Sequence, residues 1–227
     1  IVMALSNYSE LKSSIANWLN RSDLTTEIAE DFIVLAEKDF NSKLRIRSMV
    51  TQTTITIDAE TENLPSGFLQ VRDFYILNGG TKYPLKYITP AQMDQIKGGS
   101  SSGQPSTFTI LGDTFRFAPA ASSTYTGYLN YYKRFDPLSN SNTSNFILTN
   151  HPAIYLYGAL YHAANFLGGV DPARLQQWQS MYSTAMERLE RNDREDQYGN
   201  APLQQRSDVT VAGSFSDNFI AVTNNNQ

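Results

Sequence analysis

His151 and His162 are the first residues to test for chemistry, because imidazole is the side chain best suited to proton transfer and metal binding near neutral pH. Both fall in one segment with helical periodicity, where a separation of eleven positions puts them on nearly the same face but about 16 Å apart along the axis. Two ligands of one metal cannot stand that far apart, so His151 is expected to flank a helix start and His162 to sit in a core or an interface. Glu27 with Glu30 or Asp31, and Asp58 with Glu60 or Glu62, are the acidic pairs that could flank a sugar in a glycosidase, yet nothing beside them marks an aromatic-lined cleft. Lys97-Gly98-Gly99-Ser100-Ser101-Ser102-Gly103 is rich in glycine but lacks the terminal Lys-Ser/Thr of a phosphate loop and follows no strand-to-helix turn. Ser66, in Leu64-Pro65-Ser66-Gly67, does not match a nucleophile elbow. Tyr125, Tyr128, Tyr131 and Tyr132 could stack on bases or sugars, although packing within a sheet or at an interface is the simpler account. With no cysteine there is no thiol nucleophile, thiolate ligand or disulfide. No catalytic residue, cofactor-binding residue or metal ligand is expected.

The elements that would carry any function are punctuated by clear signals. Asn7 with Glu10 reads as a capping pair ahead of Tyr8, Leu11, Ile15, Trp18 and Leu19 at helical spacing, giving a first helix that ends near Asn20. Thr25 or Thr26 would cap a second, with Ile28, Phe32, Leu35, Ala36, Phe40 and Leu44 inward and Glu27, Glu30, Asp31, Glu37, Lys38 and Asp39 on a solvated face. At Met49 the period changes. The β-branched run 50–57 is strand chemistry, residues 58–67 read as a turn, and 68–77 as a strand that ends in the hairpin signal Asn78-Gly79-Gly80 with its return over 82–88. Thr89 would cap a short helix over 90–96. Residues 97–106, with three Gly, four Ser and one Pro, read as a flexible loop. Strands over 107–111, 114–117 and 124–133 complete a meander of five or six antiparallel strands. In the final hairpin, Ile154, Tyr155, Leu156, Tyr157, Leu160, Tyr161, Phe166 and Leu167 make a helix apolar on nearly every side, whereas Leu175, Trp178, Tyr182, Ala185 and Leu189 form one stripe. Asn150 ahead of Pro152, the pair Gly168-Gly169, and Asp171 ahead of Pro172 mark the boundaries of these two helices.

The predicted fold is therefore α+β. Two N-terminal and two C-terminal helices form a helical bundle from residues 3–48 and 146–197, a central antiparallel β-rich insertion spans 49–145, and an extended C-terminal arm covers 198–227. In that arm Val209, Val211, Phe215, Phe219, Ile220 and Val222 are spaced among Asn, Gln and Ser, a composition that suits extended docking on another surface.

Composition narrows the classes further. At 227 residues and 41% hydrophobic the chain can bury a sizeable interior. A formal charge of −4 and a pI near 5.2 argue against a protein whose task is to hold nucleic acid, because neutralising phosphate needs surplus Lys and Arg. No apolar run approaches the roughly 18 residues of a membrane span, and the opening residues lack the basic region and apolar core of an export signal. Thirteen Tyr and twelve Phe beside only 18% charged residues suit a surface covered by neighbours.

The order of elements, opened by Leu5-Ser6-Asn7-Tyr8-Ser9-Glu10-Leu11 and closed by a helix pair around Phe166-Leu167-Gly168-Gly169-Val170-Asp171-Pro172 with a polar run from Glu187 to Tyr198-Gly199, resembles the head-to-tail adaptor proteins of short-tailed bacteriophages over about residues 3–200. The resemblance implies a virion protein at the head–tail junction, assembled in the host cytoplasm, with no enzymatic activity and no cofactor. It implies a homo-oligomeric ring, typically of twelve copies, docked beneath the portal protein, offering its other face to tail nozzle or tail fibre proteins, and letting genomic DNA pass through its lumen without sequence-specific binding. Residues 198–227 would be the extension that grips the portal, through Val209, Val211, Phe215, Phe219, Ile220 and Val222. Lys97, Gly98, Gly99, Ser100, Ser101, Ser102 and Gly103 would be the tail-contact loop. Residues 208–227 run beyond the part that looks familiar. Two other classes stay open on the residues alone: a cell-wall glycosidase of the virion using the acidic pairs, and a sugar- or protein-binding tail module using the Tyr-rich strands.

Overall fold

The computed structural model describes residues 5–96, 102–168 and 170–198. Within them the chain is mixed α+β, with six α-helices and several sheets. Helix α1 (Tyr8–Leu19) starts where the capping pair predicts. The Asn7 side chain accepts from the Glu10 N–H at 3.0 Å, the Glu10 carboxylate reaches back to the Ser6 N–H at 2.9 Å, and Asn20 closes the helix in the left-handed region. The second helical segment departs from expectation. Thr25 and Thr26 lie inside its first turn and cap nothing, and a π-helical turn over Glu27–Phe32 precedes α2 (Ile33–Lys43). A π turn inserts one residue and rotates everything after it by about 100°. The buried stripe therefore runs Ile28, Ile33, Ala36, Glu37, Phe40, so Leu35 turns out to solvent and Glu37, expected outside, turns in.

After a short 3₁₀ turn (Arg47–Met49), β1 (Val50–Ile57), β10 (Tyr125–Lys133), β3 (Phe68–Asn78) and β4 (Thr81–Pro84) form one four-stranded sheet in that order. The Gly79-Gly80 turn joins β3 to β4 with both glycines at positive φ, as a two-residue hairpin requires. A second sheet has the order β2 (Thr61–Asn63), β8 (Thr114–Ala118), β7 (Thr107–Leu111), β5 (Lys86–Tyr87). The simple meander is thus corrected. The stretch 58–67 contains a strand, and the return over 82–88 splits at Leu85 between the two sheets, where β5 runs parallel to β7. The split follows from burial: Leu85 is buried between the sheets while Pro84 and Lys86 stay outside. Thr89 and Gln92 cap α3 (Pro90–Ile96) reciprocally. Residues 102–106 are tied down rather than free. Ser102–Gly103 is a short strand, β6, parallel to β9 (Ala120–Ala121), and the Ser106 N–H donates to the Ala118 carbonyl at 3.1 Å.

Two buried clusters result. Ile57, Phe74, Ile76, Leu129 and Tyr131 of the first sheet face Phe108, Phe115 and Phe117 of the second, with Phe74 edge-on to Phe108 at 5.4 Å. The larger cluster lies among the helices, where α5 (Pro152–Leu167) touches α1, α2, the short α4 (Phe146–Asn150) and α6 (Pro172–Tyr198). Asn145 caps α4, and Asn150 closes it rather than starting α5; His151 is the residue ahead of Pro152. Asp171 caps α6 as predicted, its carboxylate accepting from the Ala173 N–H at 3.0 Å. The stripe on α6 faces inward through Trp178, Tyr182, Met186 and Leu189.

A carboxyl group is buried beside the helical cluster. Glu37 is 5% exposed, and its Oε1 accepts from the Tyr155 hydroxyl at 2.9 Å and from the Leu138 N–H at 2.7 Å; Tyr155 in turn accepts from Asn145 Nδ2 at 2.6 Å. This chain joins α2, α5 and the loop 134–145, which Asn41 also holds through the Phe135 N–H at 2.9 Å. Burial raises the Glu37 carboxyl above its ordinary range, against the opposing pull of its two hydrogen bonds. The folded chain therefore holds the proton to a higher pH than the unfolded chain does. The stability associated with the neutral form is complete below the ordinary glutamate range and is lost as pH rises through the folded value.

Replacing Glu37 with Ala strands the Leu138 N–H and the Tyr155 hydroxyl and is expected to cost about 3 kcal/mol, a fall of roughly 10 °C in Tm. Glu37→Gln keeps an acceptor and loses the charge, so thermal melts should show it at least as stable as the parent at pH 7, with the parent gaining on it as pH falls toward 5. A gap that does not change with pH refutes the assignment. At Gly158 an added Cβ would lie 3.1 Å from both the Ala36 Cβ and the Tyr182 ring, where α2 and α6 close on α5. Gly158→Val is expected to destabilise by about 2 kcal/mol in denaturant titration.

Candidate assembly surfaces

The residues singled out for chemistry do not come together. His151 sits at the N-terminus of α5 beside the Phe146 ring, at 5.9 Å between centroids, and burial lowers its pKa. His162 is half-buried on the same helix and also lowered by burial, and its Nε2 meets no hydrogen-bond partner among the described residues. The Tyr182 hydroxyl is likewise buried and pushed up by that burial, with the Asp39 carboxylate adding to the effect. Among the described residues no group of three or more His, Asp or Glu could hold a metal ion. Glu27, Glu30 and Asp31 stand on the π turn, with Glu30 and Asp31 exposed. Glu60 pairs with Arg116 at 3.4 Å, and Glu62 is raised by partial burial and by Asp58. None of these acids lines the three grooves described below. The tyrosines of β10 divide by strand alternation: Tyr131 faces the core, while Tyr128 points outward and stacks on Tyr75 at 5.3 Å and 8°.

Surfaces, rather than a pocket with reactive groups, are what the fold presents. Trp18 is 45% exposed and rests edge-on against Tyr157, and Phe166 is 57% exposed and edge-on against Phe32. Leu35 of α2 and Met181 of α6 are exposed as well. Trp18, Leu35 and Phe166 were all expected inward. Helical spacing alone finds an apolar residue and cannot tell a face that meets its own chain from one left for a neighbour. On the β-rich side Leu77, Tyr83, Tyr87, Ile96 and Leu111 are exposed.

Three grooves lie near the junction of helices and sheets. One of 340 Å³ is lined by Arg47, Val50, Arg72, Tyr132 and Gln197. There the end of α6 is fastened to the 3₁₀ turn: the Arg47 guanidinium meets the Asp196 carboxylate at 3.0 Å, and its backbone N–H donates to Asp193 at 2.9 Å. A second of 470 Å³ has Val34, Leu69, Phe135 and Pro137 as apolar walls, with Lys38 and Arg134 at its rim. A third, also of 470 Å³, opens between β3 and the β5–β7 pair, lined by Leu69, Val71, Phe74, Leu85, Phe108 and Ile110 among others.

Of the expected tail-contact loop, Ser102 and Gly103 form β6, whereas Lys97, Gly98, Gly99, Ser100 and Ser101 lie outside the described residues. So do all six residues expected to touch the portal, Val209, Val211, Phe215, Phe219, Ile220 and Val222. Among the described residues no helix is long and apolar enough to cross a membrane.

No curated protein matches the chain. A family model does, from residue 6 to residue 206, which takes in both helical pairs, both sheets and the start of the arm. As the layout of helices and strands implied, the chain belongs to the SU10 adaptor protein family.

Proposed function

We propose that this chain is a structural virion protein that builds a head-to-tail adaptor ring of twelve copies, connecting the portal to the tail and enclosing the DNA channel. The observation that carries the reading is the family match over residues 6–206. The surfaces support it. Trp18, Leu35, Phe166 and Met181 are large apolar side chains left open on helices that each bury another stripe in the core. Aromatic anchors of this kind dominate the energetics of protein interfaces. In this proposal residues 3–48 and 146–197 form a helical bundle that makes the ring wall and residues 49–145 the β-rich part that reaches toward tail nozzle or tail fibre proteins. The stretch from Lys97 to Gly103 is its contact loop. Residues 198–227 form the arm that grips the portal.

The chemistry of the wall suits passage rather than binding. A net charge of −4 disfavours adhesion of phosphate, so genomic DNA can slide through such a lumen without being held. No step of catalysis and no cofactor enters the proposal, and nothing in the placement of the acidic pairs favours the glycosidase alternative.

Native mass measurement of the purified chain, alone and mixed with its portal, tests the assembly. The expected result is weak self-association alone and a ring of twelve on the portal; a chain that remains monomeric with portal present defeats the reading. Trp18→Ser and Phe166→Ser should lower ring yield at least tenfold while moving Tm by only about 4 °C or less, since each loses about one edge-on aromatic contact. A ring structure in which a continuous belt of Lys and Arg lines the channel would exclude the proposed lumen.

A further inference from the structure

The first sheet has an unfinished edge. β4 pairs with β3 only over Tyr75–Asn78, and the Leu85 N–H to Phe74 carbonyl bond at 2.8 Å is followed by the crossing of the chain to the second sheet. Along Leu69, Gln70, Val71, Arg72 and Asp73, β3 has β10 as its strand neighbour on one side and, among the described residues, no strand on the other. Opposite this edge β5 is two residues long and covers β7 only at Thr107 and Phe108. The 470 Å³ groove between them exposes apolar walls, with Leu69, Val71 and Ile110 half-buried at its mouth. An open edge beside an apolar groove is the arrangement that accepts an added strand: main-chain bonds hold it, and alternate side chains fill the groove.

The position at which the chain leaves α6 names the occupant. Gln197 and Arg72 line one groove together with Arg47, whose ties to Asp193 and Asp196 fasten the helix end there, and Arg72 also borders the groove along β3. The arm therefore starts beside the open edge. Nine residues lie between Tyr198 and Asp208, and the ten steps from one to the other reach about 33 Å, whereas five residues of β3 span only about 17 Å. Within the arm, Asp208-Val209-Thr210-Val211 alternates polar and β-branched apolar residues at the period of a strand; between Phe215 and Phe219 the residues Ser216, Asp217 and Asn218 are all polar, so that alternation is not continued there.

We propose that residues 208–212 add to β3 of their own chain as an extra strand along Leu69–Asp73, with Val209 and Val211 in the groove and Thr210 outward. Register shifts leave Arg72 and Leu69 as bulge residues in the pairing of β3 with β10. Bulges bend a strand and discourage indiscriminate edge pairing, so a short tethered segment, whose effective concentration is high, is favoured over a second copy. Under this arrangement the arm is anchored at its root, and contact with the portal falls to Phe215, Phe219, Ile220 and Val222. The inference stands apart from the portal reading, and its test needs no portal.

Because the chain has no cysteine, paired substitutions report directly. In the purified full chain, Gln70→Cys with Thr210→Cys and Arg72→Cys with Thr210→Cys are made, and Gln70→Cys with Asn224→Cys serves as control. At least one of the first two should form a disulfide that runs as a monomer on a non-reducing gel, with the control at background. Those amides of residues 69–73 that face away from β10 should exchange at least tenfold faster in V209D/V211D than in the parent. Disulfides formed only between copies, none in either pair, or equal exchange in parent and variant would each overturn the proposal.

Discussion

Glu37 and Tyr155 share a hydrogen bond in the interior between the helices, and the placement of α2 against α5 depends on it. A carboxylate and a phenol buried together are costly unless each lone pair and proton has a partner. Here Asn145, Tyr155, Glu37 and the Leu138 N–H satisfy one another in a chain with a single geometry. Apolar packing tolerates sliding by a turn or by a rotation; this chain does not. It sets α2 against α5 in one register and pins the loop that carries the chain from the last strand into the C-terminal helices.

The π turn is what brings Glu37 to that place. Without the inserted residue, the stripe beginning at Ile28 would continue through Leu35 and leave Glu37 in solvent. With it, Leu35 becomes an exposed apolar side chain and the interior gains its one anchored carboxylate. A single local irregularity therefore affects both the uniqueness of the fold and the character of its outer face. Phe32, the last residue of that turn, also supports the exposed ring of Phe166.

The two buried clusters meet through few residues. Leu69 and Tyr132, at the ends of β3 and β10 nearest the helices, and Phe135 just beyond, pack against the helical cluster, while Phe68 and Tyr131 beside them belong to the sheet core. Strand alternation makes this possible, since successive residues point to opposite faces. The same junction holds the end of α6 and the groove it shares with Arg47, Arg72 and Tyr132, whereas the exposed apolar side chains lie farther out on the helices and on the β-rich side. An adaptor has to present distinct surfaces to different neighbours, and a fold with two cores joined at a narrow seam provides them.

Elements whose signals are local could be read from the residues alone. The Asn7–Glu10 cap, Thr89 ahead of the short helix at Pro90, the Gly79-Gly80 hairpin, Asp171 ahead of Pro172, and the apolar stripe of α6 were all legible, because capping, positive φ and helical period depend on residues within one or two turns of each other. Which sheet each strand joined depended on packing between distant segments, since Leu85 divides one apparent strand according to burial between layers and not by any turn residue. Such packing alone decided that Glu37 lies inside and that Trp18, Leu35 and Phe166 lie outside. Hydropathy and spacing rank a residue by type, whereas its burial is set by what another part of the chain, or another chain, brings against it.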